Sequence, residues 1–287
     1  MKILILGASG GLGTQLVKTF STDKPLSWDK KEADFFNLED LFIKLEIAKP
    51  NIIINAVAYN AVDKCETDLD ELTIATKLNV DLPKFLANWC LTSGATLIHY
   101  STDYVFSGTK DKFEFSETAT PNPINKYGET KYLGEKAVMA VAENGLKYYL
   151  IRLSKLFGPK GSSPHTKASF FDVMLQLSES KSELTVVDEE LSCFTYTPDL
   201  AKATRQLLSE NFPFGVYHLT NSGPSTWYES ILELKKILNL PIKITAIKSA
   251  NLSREALRPK FSVLKNTKFP ALRDYREALR DYLIINR

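Results

Sequence analysis

Thr96-Leu-Ile-His-Tyr100 runs into Ser101-Thr102-Asp103-Tyr104-Val105-Phe106. A polar loop carrying Gly108, Pro121 and Pro123 follows, and then comes Tyr127-Gly-Glu-Thr-Lys131. The apolar run predicts a buried strand that delivers Ser101 and Thr102 to its carboxyl end. Tyr127 opens a helix that continues through Leu133, Ala137, Val138 and Val141. Residues four apart share a helix face, so Tyr127 and Lys131 are predicted a turn apart on one side. A phenol alone is a poor acid at neutral pH. A cation held beside it favours the phenolate, lowers its pKa and makes its proton transferable. With the Thr102 hydroxyl at the strand end, three groups surround one spot, where hydride can reach a carbonyl carbon while a proton reaches its oxygen.

Outward from this stretch, strands and helices alternate. Lys2-Ile-Leu-Ile-Leu6 ends in Gly7-Ala-Ser-Gly10-Gly11-Leu-Gly13, after which Leu16, Val17 and Phe20 recur at helical spacing. That is strand, glycine loop, helix: Gly7 for a tight turn, Gly10 for backbone approach to a pyrophosphate, and Gly13 for close helix–strand packing. Pro25-Leu-Ser-Trp28 reads as a second strand ending at Asp29-Lys30-Lys31, and Asn51-Ile-Ile-Ile-Asn55 and Leu146 to Leu153 as further buried strands. An acidic residue after the second strand suits the ribose hydroxyls of NAD and a basic one the 2′-phosphate of NADP; this chain offers both. The predicted fold is α/β, a Rossmann-type doubly wound parallel sheet with a smaller C-terminal substrate-binding lobe. The expected cofactor domain is 1–155 plus about 196–220, and the lobe about 156–195 plus 221–287.

Composition sets bounds. The chain has 287 residues, 44% hydrophobic and 24% charged, with 36 basic against 34 acidic side chains and a formal charge of +2. This argues for no nucleic acid and no membrane partner. Cys65, Cys90 and Cys193 are widely spaced and make neither a zinc pattern nor a disulfide framework. Only four apolar residues follow Met1-Lys2 before Gly7, too few for a signal segment, so a cytoplasmic location is expected. His99, His165 and His218 share no metal-ligand spacing and no metal is expected.

Ser/Thr followed by Tyr-x-x-x-Lys resembles the extended short-chain dehydrogenase/reductases, and Ser101 to Phe106 with Tyr127 and Lys131 resembles the dTDP-4-dehydrorhamnose reductase family. The resemblance implies an NADPH- or NADH-dependent reduction of a nucleotide-linked 4-keto-6-deoxy sugar in deoxysugar and cell-surface polysaccharide biosynthesis. Thr102, Tyr127 and Lys131 are then catalytic. Gly7, Ser9, Gly10, Gly11, Leu12 and Gly13 cradle the cofactor, Asp29 and Lys30 meet its ribose, and Asp34 and Phe35 its adenine. Ala56, Ala58 and Tyr59 lie along it, and Asn79 supports Lys131 through water. Val62, Asp63, Thr102, Asp103, Tyr104, Lys155 and Arg258 fall on the substrate side, with Arg258-Pro259 matching an Arg-Pro near the substrate phosphates. Members of the family can carry a divalent ion at a dimer contact, but no acidic cluster here requires one; a homodimer stays open. Two rivals share the fold: a non-catalytic NADP-binding regulatory subunit, and a nucleotide-sugar epimerase that would retain NAD⁺.

The chain departs from this family in two places. After the fifth strand, Arg152-Leu-Ser-Lys155-Leu-Phe-Gly158 puts a lysine where the family has tryptophan. Further on, Glu189-Glu-Leu-Ser192-Cys-Phe194-Thr195 lacks the family's glycine and proline. The first predicts that Lys155 meets an anionic or more polar sugar, with weak activity on dTDP-4-dehydro-6-deoxy-L-mannose that Lys155→Trp improves. The second predicts a different backbone path. Lys160-Gly-Ser-Ser-Pro-His165 reads as a mobile lid, and Thr195 or Thr197 as the cap of a helix from Asp199 to Leu208.

Overall fold

In the computed structural model, which describes residues 1–108, 114–164 and 166–285, the first half of the chain alternates strands and helices. β1 (Ile3–Leu6), α1 (Gly11–Thr19), β2 (Leu26–Trp28), α2 (Leu38–Ala48), β3 (Ile52–Asn55), α3 (Val62–Thr67) and α4 (Leu69–Thr76) come first. α5 (Leu82–Ser93), β4 (Thr96–Thr102), α6 (Lys126–Ala142) and β5 (Lys147–Leu153) follow. Then come β6 (Leu156–Phe157), α7 (Phe170–Ser178), β7 (Glu183–Val187), β8 (Thr195–Tyr196), α8 (Thr197–Ser209) and β9 (Gly215–His218). The chain closes with β10 (Asn221–Ser222), α9 (Trp227–Leu238), β11 (Lys243–Ile247), β12 (Leu272–Asp274) and α10 (Tyr275–Ile285).

The main sheet is six-stranded, in the order β2-β1-β3-β4-β5-β9, and every pairing in it is parallel. Alternation along β1 shows why it is covered on both faces. Ile3 and Ile5 pack with Leu16 of α1 and Leu200 of α8, whereas Leu4 and Leu6 pack with Leu41 of α2 and Leu86 of α5. Each such fully buried aliphatic side chain contributes roughly 1.5–3 kcal/mol. Because β2 and β3 flank β1 on opposite sides, connections diverge at the carboxyl end of β1, the place where open parallel sheets leave a crevice for ligands.

A separate aromatic-rich core joins α7, β7, α9 and α10 around Phe157, Phe171, Phe194 and Tyr275. Phe194, where sequence reasoning noted a missing proline, is buried and stacks on Tyr275 with centroids 5.1 Å apart. Ser192 pairs with Ser225 through backbone hydrogen bonds of 3.4 and 2.9 Å. α7 and α9 start in capping boxes, Ser169 with Asp172 and Thr226 with Glu229. α8 starts differently from the expectation. Its N-cap is Tyr196, with no side-chain cap and Pro198 in the first turn. Thr195 instead donates to the Ser154 carbonyl at 2.6 Å, tying β8 to the end of β5.

Candidate active site

The glycine loop behaves as its spacing predicts. Gly7 has φ +74°, and a Cβ on Gly13 would lie 2.0 Å from the Gly7 carbonyl oxygen, so α1 rests directly on the turn. Asp29, at the end of β2, accepts from the Ser9 amide at 2.8 Å, bringing a carboxylate to the loop's rim. Lys30 and Lys31 are exposed beside it. A cleft of about 600 Å³ runs from Gly10–Gly13 past Ala56 and Ala58 to Thr102, Tyr127 and Lys131. Ser101 is among the residues lining this cleft, and its buried hydroxyl has no protein hydrogen-bond partner. Turn, close-packed helix, rim carboxylate and open polar groups fit a nicotinamide dinucleotide.

At the far end of the cleft the strand and helix of the opening stretch meet. Asn125 caps α6, accepting from the Gly128 amide at 2.7 Å and donating to the Leu257 carbonyl at 2.8 Å. Gly128 is required there, since a Cβ would stand 2.3 Å from the Tyr104 carbonyl oxygen. The Tyr104 and Tyr127 rings meet edge-on at 5.8 Å. The Thr102 hydroxyl accepts from the Tyr104 amide at 3.2 Å, donates to Asp103 at 3.2 Å and hydrogen-bonds Tyr127. Lys131 is 2% exposed, and its ammonium donates to the Tyr100 carbonyl at 2.7 Å.

The electrostatics correct one expectation. Burial raises the Tyr127 pKa above the ordinary phenol value, opposed by the Thr102 hydrogen bond, and Lys131 does not reverse it. Burial also lowers Lys131 to about 8, with Glu135 pulling the other way. Tyr127 is therefore held as the protonated acid, the form a reduction needs at the start of turnover. Glu135 was missed by sequence reasoning, although its spacing of four from Lys131 on α6 could have found it. Fully buried, it makes a bidentate pair with Arg152 at 2.9 and 2.7 Å.

Asn79 sits in a π turn, Lys77–Asp81, between α4 and α5. Its side chain clamps the Tyr59 backbone, accepting from the amide at 3.0 Å and donating to the carbonyl at 3.1 Å, and donates to Thr130 at 3.1 Å. Tyr59 in turn gives its hydroxyl to Glu71. Phe35 is 7% exposed and belongs to the sheet core, while Asp34 is exposed and accepts from the Phe36 amide at 3.0 Å. His99 and His218 lie in strands, and His165 lies outside the described residues.

Two residues predicted on the substrate side find each other. Asp63 and Arg258 form a bidentate pair at 2.7 and 2.6 Å, and the guanidinium holds Asp63 down to about 2. Val62 lines the cleft, as do Asp103, Tyr104 and Lys155. Lys155, however, has its charge engaged within the protein. Its ammonium donates to the Glu190 and Ser225 carbonyls at 2.9 and 3.2 Å and lies 4.2 Å from the Trp227 ring centroid. Trp227, missed because nothing near it in sequence marks it, also lines the cleft and supplies an aromatic wall. Lys155 itself sits at φ 29°, a strained conformation for any side chain but glycine. Lys155→Trp should therefore lower stability by about 2–4 kcal/mol through two unmatched carbonyls and overpacking, with no gain in activity. A thermal melt at or above that of the parent chain would overturn this account.

Residues 1–286 match the RmlD substrate binding domain family. The chain is 31% identical to the spore coat polysaccharide biosynthesis protein SpsK of Bacillus subtilis (strain 168), covering 98% of this chain and 96% of that protein. It superposes on a dTDP-4-dehydrorhamnose reductase from Clostridium acetobutylicum with TM-score 0.90 and 33% identity, covering 100% and 99% of the two chains. With a dTDP-4-dehydrorhamnose reductase from Bacillus anthracis solved in complex with NADP, the TM-score is 0.90 and the identity 29%, over 99% of this chain and 100% of that one.

Proposed function

The chain belongs to the RmlD substrate binding domain family, and from that premise we propose that it is an NAD(P)H-dependent reductase of a nucleotide-linked 4-keto-6-deoxy sugar, acting in deoxysugar and polysaccharide biosynthesis. The observation that carries the reading is the convergence of Thr102, Tyr127 and Lys131 at one end of a cleft whose other end is the glycine loop. A bound reduced nicotinamide dinucleotide supplies hydride. Gly7 to Gly13 and Asp29 hold it, with Ala56, Ala58 and Tyr59 along one wall. Thr102 hydrogen-bonds the ketone oxygen, and Tyr127 hands that oxygen its proton. Lys131 keeps a positive charge beside the reacting groups and orients the nicotinamide ribose. The protein's contribution is position and charge rather than chemistry of its own.

We assign the cofactor to 1–155 with about 196–220, the part that contributes the six-stranded sheet, and the sugar nucleotide to the remainder. Arg258 is our phosphate contact, released from Asp63 when substrate enters. Because Trp227 gives the cleft the aromatic surface absent at position 155, dTDP-4-dehydro-6-deoxy-L-mannose is included among the substrates. We place the reaction in the cytoplasm, where the nicotinamide dinucleotide pool lies. The test is loss of 340 nm absorbance when purified protein, NADPH and this sugar nucleotide are mixed, with one product formed per NADPH consumed. Purified protein that carries tightly bound NAD⁺ and oxidises no NADPH with any such ketone would overturn the reading in favour of an epimerase.

A further inference from the structure

The segment expected to be a lid makes specific contacts with the glycine loop. Ser163 donates its amide to the Ser9 carbonyl at 3.0 Å, and the Thr166 hydroxyl donates to the same oxygen at 3.4 Å. The Ser162 amide donates to the Thr14 hydroxyl at 3.2 Å. Gly161 is pressed against the turn so closely that a Cβ there would lie 2.3 Å from the Ser9 oxygen and 2.6 Å from the Gly10 carbonyl carbon. Its φ lies outside the left-handed range, so glycine is needed for space rather than for conformation. On the other side of the cleft, Lys167 donates to the Asn60 side chain at 3.0 Å. The segment therefore bridges the cleft mouth between two loops that leave the main sheet.

The segment brings two lysines to the cleft. Lys160 and Lys167 line the cleft that also contains Gly10–Gly13. Both are exposed, and among the described residues neither is paired with a carboxylate. The other two lysines of the cleft are committed, Lys131 to the Tyr100 carbonyl and Lys155 to two carbonyls. Lys160 and Lys167, exposed and without a carboxylate partner among the described residues, with Lys167 resting on the Asn60 side chain, stand opposite the glycine loop and can meet an anion from the side that the loop's amides do not reach.

We propose that Lys160 to Pro164, with Thr166 and Lys167, form a clasp that holds the dinucleotide's pyrophosphate against the glycine loop, with Lys160 and Lys167 as its cationic contacts. This rests on the reductase reading. The pyrophosphate is common to both dinucleotides, so the clasp retains NADH and NADPH alike, and it acts chiefly on dissociation.

Gly161→Ala tests the clasp without removing charge, because the added methyl lifts the segment off Ser9 and Gly10. Titration of nucleotide fluorescence should show Kd about tenfold weaker for both NADPH and NADH, with the change in the dissociation rate measured by stopped flow. Lys160→Met combined with Lys167→Met should weaken both nucleotides by a similar factor and flatten the salt dependence of binding. Unchanged or tighter Kd in Gly161→Ala would overturn the clasp, as would a loss in the lysine variant confined to NADPH, which would put these charges on the 2′-phosphate. If the parent chain binds neither nucleotide, the reductase reading falls and the clasp with it; if the parent binds and the variants match it, the clasp alone falls.

Discussion

Tyr127→Phe is expected to lower kcat by about 10³-fold, within the usual worth of a positioned general acid, while leaving Kd for NADPH within about twofold of the parent value. The change removes one oxygen and keeps the ring, so the edge-on contact with Tyr104 at 5.8 Å survives. What is lost is the proton. Burial keeps the phenol above its ordinary pKa, so the proton is in place at neutral pH and leaves only as the ketone oxygen gains charge. Lys131, lowered to about 8, titrates first. Raising pH through 8 strips the ammonium's charge, and kcat/KM should fall on the alkaline side with an inflection near that value. Weakened cofactor binding in Tyr127→Phe, with turnover of the remaining complex intact, would remove the acid role.

The fold was legible from short-range pattern because its strands are short, apolar and followed by distinctive turns. The run Ile3 to Leu6 with its glycine loop, and Thr96 to Thr102 with α6, each specify a strand, a turn and a helix face within one local stretch. Spacing alone set Gly7 at a positive φ and Gly13 against its carbonyl. The site's interior was less legible where roles depend on long-range partners. Sequence put Lys155 against a ligand, yet its ammonium is claimed by carbonyls of residues 35 and 70 positions away. Arg258 and Asp63 were both read as substrate residues, and nothing local shows that, 195 positions apart, they pair. Thr195 has the chemistry of a helix cap, but a carbonyl at the end of β5 competes for its hydroxyl and wins. Lysine's effect on Tyr127 was misjudged for a similar reason: spacing gives proximity, whereas burial, which sets the larger effect here, follows from everything packed around the pair.

Glu135 carries the second large effect. It is fully buried, as is Arg152, and their bidentate pair of 2.9 and 2.7 Å lies on the α6 face that also bears Tyr127 and Lys131. The guanidinium sits 5.1 Å from the Phe106 ring centroid, and one of its nitrogens is 3.4 Å from His218 Nε2, which supplies no negative charge. Removing the carboxylate leaves a buried cation without its anion, so Glu135→Ala should cost about 3–5 kcal/mol, read as a lower denaturant midpoint. Replacing both partners, Glu135→Leu with Arg152→Met, should recover most of that loss, since the uncompensated charge goes too. Glu135→Gln keeps the shape and asks about chemistry. The carboxylate opposes the burial that depresses Lys131, so its neutralisation should lower the Lys131 pKa further and carry the alkaline limb of kcat/KM below pH 8. That limb is governed by the loss of a proton from an ammonium, so a lower pKa narrows the active range from above and leaves the acid side unmoved. An unmoved limb in a folded Glu135→Gln protein would confine Glu135 to holding Arg152.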